Sequence, residues 1–191
     1  MPKTSQTHPI RIEGVAVPGT TGVIGMTFCP GKVQKNALSG GAWERDLDTD
    51  LRAIQDWGAT ALVSLMEQHE YLELKVGDMP RHIPAGIQHF QLPMPDGGIP
   101  DAAWEREWEQ NAGPKIRAAL ISDKKIVIHC KGGLGRTGLL AARLLIEFGM
   151  PLEDAILAVR KARPGTIETP AQEEYVRGQK PLLHKVPTGI P

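Results

Sequence analysis

The residues best suited to chemistry lie together in His129–Thr137: a histidine, a cysteine, five residues that include three glycines, an arginine and a threonine. The apolar run Ile126–Ile128 precedes them and a long apolar stretch follows. The segment therefore reads as a strand, a glycine-rich loop and a helix. That order suits attack by a thiolate on a bound phosphate monoester.

A helix N-terminus carries amide groups without intrahelical partners and a partial positive charge, so a loop leading into it makes an anion site. Gly132, Gly133 and Gly135 let the backbone come close to an oxyanion, and Lys131 and Leu134 complete the cradle. Arg136 adds a planar fork matched to two phosphate oxygens. Cys130 at the floor of this cup is the candidate nucleophile, since a field that attracts phosphate also favours thiolate. Thr137 is placed to hydrogen-bond the sulfur as it leaves, and His129 to orient the nucleophile through the backbone.

Expulsion of an alkoxide or phenolate needs a proton, so a carboxylic acid belongs on a nearby loop. The segment Leu92–Asp101 is loop-like and lies upstream of the nucleophile. Asp96 is the candidate acid, and base in the second step. Asp96-Gly97 is also a common turn pair, and Asp101 a natural helix N-cap.

Competing motifs fail on context. Gly133–Gly138 spells a dinucleotide fingerprint, but no second strand ending in an acidic residue follows the helix. No Gly-Lys-Ser/Thr triplet makes a Walker loop. Asp46–Asp50 begins like a calcium loop, but Leu51 stands where glycine is needed. His69-Glu70 lacks the second histidine of a zinc-protease helix. We expect neither metal nor cofactor.

The 191 residues suit one domain, with residues 1–10 a flexible N-terminus, 11–180 the catalytic domain and 181–191 a tail. Lys plus Arg and Asp plus Glu both number 22, so nothing points to nucleic acid or an anionic membrane. Two cysteines and no signal-like segment point to the cytoplasm. Cys130 should be the oxidation-sensitive one, and Cys29 reads as a small buried residue at a strand end. Strands at 12–17, 22–28, 61–65, 87–92 and 126–130 alternate with helices from Asp46, Glu67, Asp101, Arg136, Leu152 and Thr169. That alternation predicts an α/β domain. Pro114 is expected to kink or split its helix, and the Trp104/Trp108 stripe to pack in the core.

His129-Cys130, five residues, Arg136 and Thr137 resemble the signature of the cysteine-dependent protein tyrosine and dual-specificity phosphatases. Pro95-Asp96-Gly97-Gly98 with Pro100-Asp101, and Ile167-Glu168-Thr169 with Gln172 and Tyr175, narrow the resemblance to the kinase-associated phosphatase branch. The resemblance spans residues 20–180 in element order. It implies a central mixed sheet of about five strands flanked by helices. It also implies that Gln172 positions the hydrolytic water, although an exposed polar helix residue fits that position equally well. No phosphotyrosine-recognition loop is evident, which implies a shallow site taking phosphoserine and phosphothreonine as well as phosphotyrosine. Lys131 keeps a phosphoinositide or other small phosphate ester open as substrate. A weakly catalytic module that binds phosphoproteins is the competing class, but such a module would more typically have lost one of Cys130, Arg136, Thr137 and Asp96.

Overall fold

The computed structural model describes residues 1–37 and 40–182. Strands β1 (Glu13–Ala16) and β2 (Val23–Thr27) open the chain, and a two-stranded ribbon, β3 (Val33–Gln34) and β4 (Trp43–Glu44), follows. Next come α1 (Leu47–Asp56), β5 (Ala59–Ser64), α2 (Gln68–Glu73), α3 (Met79–His82) and β6 (Gln88–Gln91). The second half runs α4 (Ala102–Glu107), α5 (Gly113–Ile121), β7 (Lys125–His129), α6 (Gly135–Glu147), α7 (Leu152–Ala162) and α8 (Pro170–Arg177).

The five-stranded sheet has the order β1-β2-β7-β5-β6. Only β1 runs antiparallel to its neighbour; β2, β7, β5 and β6 are mutually parallel. The mixed α/β sheet matches the expectation. Side chains alternate across a strand, and β7 feeds both faces of the core: Ile126 and Ile128 pack with Leu140, Leu144 and Trp108, while Val127 packs with Leu51, Ile54 and Leu62. Parallel strands end along one edge, where α/β sheets hold their ligands. Ser64, Gln91 and His129 close β5, β6 and β7 on that edge.

Local signals explain most boundaries. Asp46 caps α1 by accepting from the Thr49 amide at 2.7 Å, and Gly58, at φ +96°, ends it. Trp104 and Trp108 stack at 5.3 Å inside the core. Their indole N–H groups donate to the Leu92 carbonyl and to Glu147. Pro114 does not split its helix. A π-turn over Trp108–Ala112 joins α4 to α5, and Pro114 sits in the first turn of α5, where its missing N–H is harmless.

The ribbon β3–β4 and the short α3 have no counterpart in the sequence reading. Residues of the expected flexible N-terminus contact the rest of the chain. Lys3 bridges to Trp43, Ser5 is buried, and Arg45 donates to the His8 carbonyl at 2.7 Å. Most of the expected tail, residues 183–191, lies outside the described residues. No helix among the described residues is long and apolar enough to cross a membrane.

Candidate active site

The loop from Cys130 to Leu134 leaves β7 and runs into α6. Its carbonyls are all engaged from outside. Cys130 O accepts from His129 Nδ1 at 3.2 Å and Lys131 O from the Cys29 amide at 3.3 Å. Gly132 O and Gly133 O accept from Arg163 at 3.1 and 2.5 Å. Leu134 O takes the amides of Gly138 and Ile167 at 2.9 and 3.2 Å. In a trans peptide the N–H points away from the C=O, so these contacts turn the loop's amides toward its interior. One of them, Gly133 N, donates to the Cys130 sulfur at 3.2 Å. Gly133 has φ +73°, and a Cβ there would lie 2.2 Å from Thr27 O, so only glycine fits.

Arg136 is fully buried at the start of α6. Its Nη1 and Nη2 donate to the two oxygens of Glu70 at 2.6 and 2.7 Å, and Nη1 also reaches Met94 O at 3.1 Å. Glu70 accepts the Glu67 amide as well, closing a capping box on α2. Burial pushes the Glu70 carboxyl up, but its hydrogen bonds with Arg136 and the Glu67 amide outweigh burial and hold it below the usual carboxylate range. Arg136 Nη2 also donates to Asp96 at 2.9 Å, while its Nε is buried without a partner. Asp101, the alternative acid, caps α4 through the Trp104 amide at 2.8 Å.

His129 is buried and joined to a chain of polar groups. Its Nδ1–H must face the Cys130 carbonyl, which can only accept. Its Nε2 is then an acceptor for the Ser64 hydroxyl at 2.6 Å, and Ser64 in turn accepts from His89 Nε2 at 2.8 Å. Burial pushes the His129 imidazole down to about 3 and the His89 imidazole down to about 4, so both rings are neutral at pH 7.

The loop bearing Asp96 docks on α8. Gly97 O accepts from Thr169 Oγ1 at 3.2 Å, and Gly98 O from Gln172 Nε2 at 3.1 Å. Gln172 is fully buried, contrary to its reading as an exposed helix residue. Its other end accepts the Glu168 and Thr169 amides in a capping box. A Cβ on Gly135 would lie 2.9 Å from the Gln172 amide, so this side chain lies against the start of α6. Lys131 is paired with Glu73 at 2.8 Å. The buried Thr137 hydroxyl has no partner, so the expected bond to Cys130 is not formed.

The structure thus brings Cys130, Arg136 and Asp96 together around one loop, with Gln172 beside it. The sequence reading missed Glu70, Ser64, His89 and Arg163. It also missed Lys32, whose ammonium packs 4.9 and 4.8 Å from the rings of Phe28 and Trp43. Burial pushes the Lys32 ammonium down to about 8. Glu67, His69 and Glu70 are close enough to share a cation, but Glu70 already serves Arg136 and α2.

Residues 41–150 match the family model described as "Polymorphic toxin system, DSP-PTPase phosphatase". The chain is 31% identical over 136 residues to human protein tyrosine phosphatase type IVA 3, covering 71% of this chain and 72% of that protein. It is 27% identical over 158 residues to dual specificity protein phosphatase CDC14B of Mus musculus, covering 82% of this chain but only 30% of that longer protein. A crystal structure of kinase associated phosphatase, with serine at its catalytic cysteine, superposes with a TM-score of 0.76 at 26% identity. That match covers 88% of this chain and 93% of the other.

Two outcomes follow from the buried ionisable groups. Glu70→Ala removes the buried two-oxygen partner of Arg136 and leaves only the exposed Asp96 as counter-charge, so urea denaturation should show a loss of about 3–5 kcal/mol. His89 and His129 bind protons in the unfolded chain below about pH 6.5 but stay neutral in the folded one to far lower pH. Their stabilisation is therefore complete above pH 6.5 and lost as pH falls toward about 4 and then about 3. Urea midpoints should hold from pH 7.5 to about 6.5 and fall from there to pH 4.5, and His89→Gln should flatten the decline.

Proposed function

The chain belongs to the dual-specificity and protein tyrosine phosphatase family, and on that basis we propose that it hydrolyses phosphate monoesters on proteins through a phosphocysteine at Cys130. The observation that carries this reading is one cup holding a sulfur that accepts a loop amide, a buried arginine held by Glu70, and Asp96 on that arginine.

In the first step the thiolate of Cys130 attacks phosphorus and the bond to the leaving oxygen breaks. Asp96 gives that oxygen its proton. Its side chain is 63% exposed, so it lies open to solvent on the rim of the cup. The inward amides of residues 131–135 and Arg136 Nε stabilise charge on the equatorial oxygens. Glu70 holds the guanidinium plane, so no reorganisation is needed during the reaction. In the second step water attacks phosphorus, the S–P bond breaks, and Asp96 takes a proton from the water. Inorganic phosphate leaves and the thiolate is restored. Gln172, anchored between Gly98 and the cap of α8, is placed to orient that water. Thr137, buried and without a partner, is the hydroxyl available to the departing sulfur. His129 acts through the backbone, holding the Cys130 carbonyl outward.

We take phosphorylated tyrosine and serine or threonine side chains as the substrate class. A polyanionic inositol headgroup is disfavoured because the Lys131 charge is engaged by Glu73. Two free cysteines accord with the reducing cytoplasm.

Hydrolysis of p-nitrophenyl phosphate should proceed in EDTA and disappear in Cys130→Ser; activity retained by that variant would rule out the thiolate route. Asp96→Asn should slow esters with poor leaving groups about 10²–10⁴-fold while sparing activated ones. Equal slowing of both would assign Asp96 a structural role.

A further inference from the structure

We propose that Arg163 is a positioning residue for the anion loop, clamping it from behind with Glu13 as counter-ion. The inference rests on the reading of that loop as a phosphate cradle.

Arg163 ends α7, and its side chain is only 13% exposed. Its three nitrogens divide their work. Nε donates to Gly133 O at 2.5 Å, Nη2 to Gly132 O at 3.1 Å, and Nη1 to Glu13 Oε2 at 2.5 Å. Gly132 O shares a peptide plane with the Gly133 amide, and Gly133 O shares one with the Leu134 amide. No described peptide is cis. Holding both oxygens outward therefore aims two successive amides inward, and the Gly133 amide does meet the Cys130 sulfur at 3.2 Å.

The loop needs such a hold because glycine peptides rotate at little cost. Without Arg163 the Gly132–Gly133 plane could flip and present a carbonyl, rather than an amide, to an oxyanion. The opposite side of the loop is set by Thr27 at the end of β2, against which Gly133 has no room for a Cβ. Glu13 lies on β1, paired through Met26 to that same strand end. The clamp therefore closes a ring from α7 through the loop to β2 and back through β1. Arg163 touches no reacting atom; it acts through the peptide planes.

The test is binding of sodium tungstate, a phosphate-shaped anion, to the full chain by calorimetry, with urea denaturation and p-nitrophenyl phosphate kinetics in parallel. Arg163→Ala should weaken tungstate about tenfold or more, which corresponds to about 1.4 kcal/mol. Arg163→Lys should recover only part, since one ammonium cannot span two carbonyls and a carboxylate in a plane. Glu13→Gln should shift binding in the same direction by less. A lower urea midpoint with unchanged tungstate affinity would overturn the proposal by making Arg163 a merely structural residue. If Arg163→Ala does not fold, wild-type tungstate affinity in both Arg163→Lys and Glu13→Gln would overturn it equally. Tungstate binding needs no turnover, so a wild-type chain that binds tungstate without hydrolysing esters overturns the proposed reaction and leaves the clamp standing.

Discussion

A fully buried guanidinium organises this molecule. Arg136 is buried, and an unpaired charge in that position would cost several kcal/mol. The structure answers with Glu70 in a two-oxygen pair and with the carbonyls of Leu65 and Met94. These partners come from the segments that follow β5 and β6. The parallel order of β7, β5 and β6 is what brings those segments to the edge where α6 begins. The capping box on α2 holds Glu70 ready, because the same carboxylate oxygen that takes Arg136 also takes the Glu67 amide.

The second constraint is the direction of the loop's peptide planes. A cup of amides requires that its carbonyls be satisfied elsewhere, and each one is, by a different part of the chain. His129 turns the first, Cys29 the second, Arg163 the next two, and Gly138 with Ile167 the last. His129 does this through its Nδ1–H, with Nε2 left to accept from Ser64, and burial keeps the ring neutral. The elements supporting the site are thus polar contacts behind it, with the apolar core beneath them.

What was legible in the sequence was what is local. The spacing from Cys130 to Arg136, the strand before it and the helix after it belong to one continuous segment, and backbone rules apply to it directly. The same holds for Asp101 as a cap and for Asp46 and Thr169 as the points where helices begin. What was not legible depends on chain approach. Glu70 lies 66 residues before Arg136, and its surroundings in sequence resemble those of any short charged helix. Arg163 looks like one of several basic residues at the end of an amphipathic helix. Gln172 was open between two roles because burial, not residue type, separates them. The ribbon of β3 and β4 escaped because each strand has only two residues, too few for any alternation to register.

The most direct test of the central claim is to stop turnover of an aryl phosphate with acid and measure the intact mass of the chain, followed by mapping of the modified peptide. Thiolate catalysis requires one phosphoryl group carried on Cys130, present during turnover and absent from Cys130→Ser. Sustained turnover with no phosphoryl group on the chain, or with one on any other residue, would contradict it.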